Sequence, residues 1–187
     1  MAGMTRPEAL SVVIPCLNEA ERLPLLLADL QCVGSGLEIL LADGGSSDAT
    51  PEIAGLAGAH LIKIHPAGRG RQLRAAAAQA HGDWLLFLHA DSRLPLQWFR
   101  GVSPLLQTSA AAANAWYFDF RIAPSTASRR LLEKAVALRS RWLQRPYGDQ
   151  GLLLHRELYH RCGGFAELPL MEDLDLVERL SRIADLK

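Results

Sequence analysis

The strongest constraint on the fold is a repeated alternation in the first half of the chain. Four short apolar runs, Leu10 to Ile14, Leu37 to Leu41, Leu61 to Ile64 and Trp84 to Leu88, are separated by segments with helical spacing. Runs that are apolar throughout suit strands covered on both faces, and strands joined through helices pair in parallel. The pattern predicts βαβ units around a mostly parallel sheet flanked by helices. Asn18 with Glu21 three residues later reads as an N-cap and capping box, and Leu23, Leu26, Leu27 and Leu30 give the helix an apolar stripe. Thr50-Pro51 opens a second helix ending near Gly58, and a third runs from about Arg71 to Ala80, stopped by Gly82.

The pattern changes after Leu88. Trp116, Phe118, Phe120 and Ile122 alternate with Tyr117, Asp119 and Arg121, as in an antiparallel or edge strand with one wet face. Ser128 to Leu143 is predicted as a helix, Leu152 to Leu154 as a short strand and Leu170 to Ala184 as a last helix. With 187 residues and no internal repeat, one domain is expected. Its 20 basic residues balance 20 acidic ones, which excludes a bulk polyanion binder such as a nucleic-acid coat. No apolar run approaches the roughly 18 residues of a membrane span. The run from Ala9 to Leu17 contains Pro15 and lacks an Ala-x-Ala pattern, so it makes a poor signal peptide, and a cytoplasmic location is expected. Cys16, Cys32 and Cys162 have no C-x-x-C spacing and read as small hydrophobes.

In an open α/β sheet, ligands bind beyond the carboxyl ends of the strands. The loops there are Pro15-Cys16-Leu17-Asn18-Glu19, Ala42-Asp43-Gly44-Gly45-Ser46-Ser47-Asp48 and His89-Ala90-Asp91-Ser92. The second is equally the composition of any tight turn. Gly68-Arg69-Gly70-Arg71 is not a dinucleotide fingerprint, because position 73 is Leu, and no G-K-[ST] follows. It leaves a cationic helix start, Arg69, Arg71 and Arg74, which serves either a diphosphate or solvent. In the last helix, Asp175 meets Arg179 at i, i+4, whereas Asp173 lies along the stripe of Leu176 and Leu180 expected to face the sheet. A carboxylate there is either a first-turn residue favoured by the helix dipole or a proton acceptor.

Taken in order, these segments resemble family 2 glycosyltransferases of the GT-A fold. The carriers are Ser11-Val12-Val13-Ile14-Pro15-Cys16-Leu17-Asn18-Glu19, Asp43-Gly44-Gly45-Ser46-Ser47-Asp48-Ala49-Thr50, Leu88-His89-Ala90-Asp91-Ser92, Gly163-Gly164-Phe165 and Met171-Glu172-Asp173-Leu174-Asp175. The Asp-Gly-Gly-Ser and Leu-His-Ala-Asp-Ser-Arg-Leu-Pro details are most similar to a bacterial subgroup linked to arsenosugar biosynthesis. The resemblance implies one GT-A domain over 1–187, with a nucleotide part at about 8–95, an acceptor part at about 96–187 and a missing C-terminal extension. It implies that Pro15, Asn18, Glu19, Asp43 and Gly45 line the nucleotide pocket, Asp43 accepting from a base that is commonly uracil. Arg69, Arg71 and Arg74 would meet the diphosphate. Asp91 matches the last Asp of the family's Asp-x-Asp motif and would bind a divalent ion, Mn²⁺ or Mg²⁺. His89 departs from that motif; losing a carboxylate weakens a hard oxygen site for Mg²⁺, and a ligating imidazole shifts preference towards Mn²⁺. Gly44 stands where many relatives have another Asp. The Glu172-Asp173 pair matches the family's catalytic motif, with Asp173 as the base of an inverting transfer.

The implied partners are a nucleotide-sugar donor and a small-molecule, glycan or lipid acceptor. Asp149 or Gln150, in Tyr147-Gly148-Asp149-Gln150-Gly151, serves either to orient the acceptor or contact metal, or as a simple turn. A nucleotide-sugar-binding protein with little catalysis is the alternative raised by the imperfect metal motif. A sugar-phosphate nucleotidylyltransferase is disfavoured, because Cys16-Leu17-Asn18-Glu19 is not a Gly-rich basic loop. Residues 121–145 carry seven bases against Glu133 alone, with Leu131, Leu132, Ala135, Leu138 and Trp142 on the other face. Such a helix either lies peripherally on an anionic membrane or covers the sheet or a second copy of the chain.

Overall fold

The computed structural model describes residues 10–33, 37–118 and 151–187. Its six-stranded sheet has the order β3-β2-β1-β4-β6-β5. The strands are β1 (Leu10–Cys16), β2 (Glu38–Asp43), β3 (His60–Lys63), β4 (Trp84–Phe87), β5 (Ala115–Trp116) and β6 (Leu152–His155). The first four pair in parallel, whereas β6 runs antiparallel to both β4 and β5. This is the mixed α/β sheet expected from the sequence, with its antiparallel portion in the C-terminal half.

Both faces of the central strands are covered, which is why β1, β2 and β4 are mostly apolar, whereas β3 at the edge keeps His60 and Lys63 exposed. On one side Leu10, Val12 and Ile14 of β1 pack with Leu41, Leu86 and the leucine stripe of α1 (Leu23–Gln31). On the other, Val13, Leu40 and Leu85 pack with Leu73 and Ala76 of α3 (Arg69–Gln79). Between them in sequence lies α2 (Thr50–Leu56), with Pro51 in its first turn. After β4 come α4 (Trp98–Leu106) and α5 (Ser109–Ala112). After β6 come α6 (Arg156–Arg161) and α7 (Glu172–Leu180), whose Leu158, Leu176 and Leu180 join the second apolar layer.

Three expectations change. Asn18 does not cap α1: the helix starts at Leu23, preceded by Arg22 with no side-chain cap. Asn18 takes a left-handed backbone (φ 56°), and its side chain reaches across to the next loop. The edge strand β5 ends at Trp116; Tyr117 N–H donates instead to Lys187 O at 3.0 Å, so the C-terminal residues extend the pairing. In α7 the buried acid is Glu172, at 3% exposure, whereas Asp173 is half-buried. Cys16 and Cys162 are buried as expected, while Cys32 is exposed. Burial pushes the Cys16 thiol up to about 12, with the nearby Glu19, Asp43 and Asp48 charges adding to the rise. The predicted helix at 128–143, the strand residues 119–122 and the loop at 147–150 lie outside the described residues. Among those described, no helix is long and apolar enough to cross a membrane.

Candidate active site

Two loops at the carboxyl ends of β1 and β2 are tied together by side chains that reach from the second to the backbone of the first. Asn18 N–H donates to Ser46 Oγ (2.8 Å), Glu19 N–H to Thr50 Oγ1 (2.9 Å) and Ala20 N–H to Asp48 Oδ2 (3.0 Å). Asn18 Oδ1 returns the link by accepting from Ser47 N–H at 2.8 Å. Asp43 organises its own loop: it is 1% exposed and accepts from Gly45 N–H, Ser46 N–H and the Ser46 hydroxyl. Gly45 makes that turn with φ of 97°. The polar composition of the second loop is therefore largely turn chemistry, and its product is a fixed rim for the cleft beside it.

That cleft has a volume of about 430 Å³. Pro15, Leu17 and Glu19 line it from the β1 loop, Arg69 and Gln72 from the start of α3, and His89 and Asp91 from the loop after β4. Glu19 Oε2 is buried there without a hydrogen bond, its nearest cation being Arg22 at 3.5 Å. The Asp91 carboxylate is exposed and has no hydrogen-bonding or ion-pair partner among the described residues. Asn18, Asp43 and Gly45 are not among the residues lining this cleft.

Gln72, which sequence reasoning did not single out, forms part of the floor. Its Nε2 donates to Cys16 O (2.9 Å) and Ala42 O (2.7 Å), and its Oε1 accepts from Gly68 N–H at 3.3 Å. One buried amide thus ties β1, β2 and the turn before α3. The available signal was a polar residue at the i−4 position from Ala76 on an otherwise apolar helix face. Gln72 and Ala67 also occupy the space beside Gly44, where a Cβ would stand 3.1 Å from Ala67 Cβ. The surroundings of Gly44 therefore leave little room for a side chain there.

The three arginines of α3 diverge. Arg69 lines the cleft, with Nε 3.0 Å from Glu172 Oε1 and Nη2 against His89 Nε2. Arg71 pairs with Glu167 at 2.9 Å, and Arg74 reaches towards Phe165 O at 3.5 Å. Beyond Arg69 and His89 opens a smaller pocket of about 30 Å³, walled by Leu73, Phe87, Phe165 and Val177 and bearing Asp173. Asp173 Oδ1 accepts from Leu174 N–H at 2.8 Å in the first turn of α7. Asp175 pairs with Arg179 Nε at 3.0 Å, as its spacing predicted.

Among the described residues no three His, Cys, Asp or Glu side chains converge as a metal cage. The donor set fits an ion completed by substrate oxygens, because Mg²⁺ and its analogues are commonly held by one or two carboxylates plus phosphate. Asp91 is the residue that would hold it. His89, the other metal candidate, lines the same cleft with its Nε2 against the Arg69 guanidinium.

Residues 11–168 match the model of the family described as glycosyl transferase family 2. Glycosyltransferase AglJ of Haloferax volcanii is 34% identical over 89 residues, covering 47% of this chain and 29% of that protein. An undecaprenyl-phosphate 4-deoxy-4-formamido-L-arabinose transferase of Enterobacter sp. is 35% identical over 106 residues, 49% of this chain and 32% of that one. The chain thus spans about a third of the length of these curated relatives. Among solved structures, S. aureus TarS 1-349 superposes with a TM-score of 0.77 at 16% identity, covering 95% of this chain and 57% of that one. Mannosyltransferase PcManGT of Pyrobaculum calidifontis, in complex with GDP-Man and Mn²⁺, gives 0.74 at 18%, covering 96% and 54%. Glucosyl-3-phosphoglycerate synthase of Mycobacterium tuberculosis, in complex with Mn²⁺, UDP and glucosyl-3-phosphoglycerate, gives 0.67 at 22%, covering 95% and 69%.

Proposed function

Because the chain belongs to glycosyl transferase family 2, we propose that it moves a sugar from a nucleoside diphosphate, UDP by preference, to an acceptor hydroxyl with inversion. The observation that carries this reading is the adjacency of two cavities. The cleft beyond the parallel strands bears Glu19, Arg69 and Asp91, and the pocket bearing Asp173 meets it at Arg69 and His89. A donor seated in the cleft would direct its anomeric carbon towards Asp173.

In the proposed step Asp173 takes the proton of the acceptor hydroxyl as that oxygen bonds to the anomeric carbon. The bond from that carbon to the diphosphate oxygen breaks, and the nucleoside diphosphate leaves. General-base assistance of this kind supplies about 10²–10⁴-fold in rate. Arg69 would meet the charge developing on the leaving diphosphate, and Glu19 and Pro15 would bound the nucleoside. A divalent ion, where bound at Asp91, supplies additional positive charge to that leaving group. The ions and nucleotides held by PcManGT and the synthase support a metal-assisted nucleotide-sugar reading. The Asp-Gly-Gly-Ser and Leu-His-Ala-Asp-Ser-Arg-Leu-Pro segments support the arsenosugar-linked subgroup. We place the donor part at about 8–95 and the acceptor part at about 96–187.

The test combines UDP calorimetry, with and without Mn²⁺, with a donor-hydrolysis and transfer assay. UDP at a hundred times its Kd should stabilise the fold by about 2.7 kcal/mol. Asp173→Asn should abolish transfer while UDP affinity stays within about twofold, the pattern of a group used only in the chemical step. Full turnover by that variant would remove Asp173 from the reaction. Binding of UDP-sugar with neither hydrolysis nor transfer would favour a nucleotide-sugar-binding protein instead.

A further inference from the structure

Arg69 and His89 line both the cleft and the smaller pocket, and the group that fixes Arg69 lines neither. Glu172 is 3% exposed in the first turn of α7, and its Oε1 lies 3.0 Å from Arg69 Nε as an ion pair, accepting no hydrogen bond from the described residues. A second corner of the same guanidinium, Nη2, meets His89 Nε2. A guanidinium is planar, so holding Nε against one group and Nη2 against another sets the orientation of the whole fork. Removing a carboxylate from water is costly unless a cation accompanies it. Among the described residues Arg69 is the cation paired with Glu172.

The backbone is built for this contact. A Cβ on Gly70 would stand 2.2 Å from Ala166 O and 3.2 Å from Glu172 Cβ, so the start of α3 presses against the segment leading into α7. Arg71 on Glu167 and Arg74 towards Phe165 O tie the same two elements together.

We infer that Glu172 is a positioning residue: it holds the Arg69 guanidinium at the wall between the two cavities, where a leaving diphosphate and an incoming acceptor would meet. This revises the catalytic part expected of Glu172 from sequence. The inference rests on the proposal that the cleft takes a nucleoside diphosphate sugar.

The experiment compares wild type, Glu172→Gln, Glu172→Asp and Arg69→Ala, alone and with Glu172→Gln added. The readouts are UDP calorimetry, donor and acceptor KM, kcat and thermal melting. Glu172→Gln preserves shape but removes the charge, and UDP affinity should weaken and donor KM rise about tenfold, as expected when one partner of a largely buried ion pair is removed. Acceptor KM should stay within about twofold, Glu172→Asp should recover part of the loss, and Glu172→Gln should add under about twofold to Arg69→Ala, since the two act as a unit. Wild-type UDP affinity and donor KM in Glu172→Gln, or full additivity with Arg69→Ala, would overturn the inference. So would loss of kcat alone with UDP affinity kept, which marks a proton acceptor. Should Glu172→Gln fail to fold, Arg69→Lys keeps the charge but not the fork, and wild-type donor affinity in that variant overturns the inference equally. Absence of UDP and GDP binding by wild type would instead defeat the functional reading itself, and the inference with it.

Discussion

Gln72 serves three backbone groups with one amide, so replacing it isolates them together. Gln72→Leu keeps volume but leaves Ala42 O and Gly68 N–H without the partner they have here. It should cost about 1–3 kcal/mol, the penalty for stranding buried polar groups. Melting should fall by roughly 2–4 °C for each kcal/mol in a chain of this size. A second residue-scale expectation concerns Asp29 of α1, which is 7% exposed and accepts from Arg93 Nε (2.7 Å) and Leu94 N–H (3.0 Å). Burial alone would raise its carboxyl, but hydrogen bonds from Arg93 and Leu94 and the Arg93 charge outweigh that and hold it below the usual carboxylate range. The folded value lies below the unfolded one of about 3.9, so the stability it contributes is complete above about pH 4 and is lost as pH falls through the folded value. Urea titrations at descending pH should therefore show a shallower acid limb in Asp29→Asn than in wild type; equal slopes would contradict the assignment. Neither Gln72 nor Asp29 was assigned a role beforehand, since each reaches a partner more than 50 residues away, Cys16 O for Gln72 and Leu94 N–H for Asp29.

Helix periodicity was readable where burial follows it: Leu23, Leu26, Leu27 and Leu30 are all buried along α1. The start of that helix was not, because Asn18 uses its side chain on Ser47 rather than on its own turn. In α7 the acid facing inward is Glu172 rather than Asp173, one residue and about 100° of helix away. The stripe pattern alone did not show that Arg69, a distant cation, waits there. Two glycines separate packing from propensity. Gly55 of α2 has nothing within 4 Å of an added Cβ, so Gly55→Ala should stabilise by about 0.5–1 kcal/mol through helix propensity. Gly70→Ala would drive a methyl into Ala166 O and should destabilise by about 1–3 kcal/mol, typical of overpacking. It should also weaken UDP binding as α3 backs away from α7. Chemical denaturation of the two variants side by side gives both signs, and a loss in Gly55→Ala would refute the open-space reading.

The parallel half of the sheet was legible because each of its strands centres on a short, mostly apolar run, and β6 likewise. The C-terminal pairing onto β5 was not, because residues 185–187 join Ala115 and Tyr117 through backbone hydrogen bonds with no apolar run to announce them. Whole-molecule charge yields one further expectation: with 20 bases, 20 acids and a pI near 7.0, solubility should pass through a minimum near neutral pH, readable by light scattering across a pH series. A protein equally soluble at pH 7 and one unit to either side would refute it. The position of β6 also sets a timetable. Trp84 pairs with His155, so during synthesis the outer edge of β4 waits for about seventy residues before its neighbour emerges. At ribosomal speeds that wait is roughly 4–14 s, during which β3, β2, β1 and β4 can assemble but present an unmatched apolar strand. A nascent chain stalled in that interval would be the most aggregation-prone form of this protein, and the antiparallel return of β6 is the event that ends its exposure.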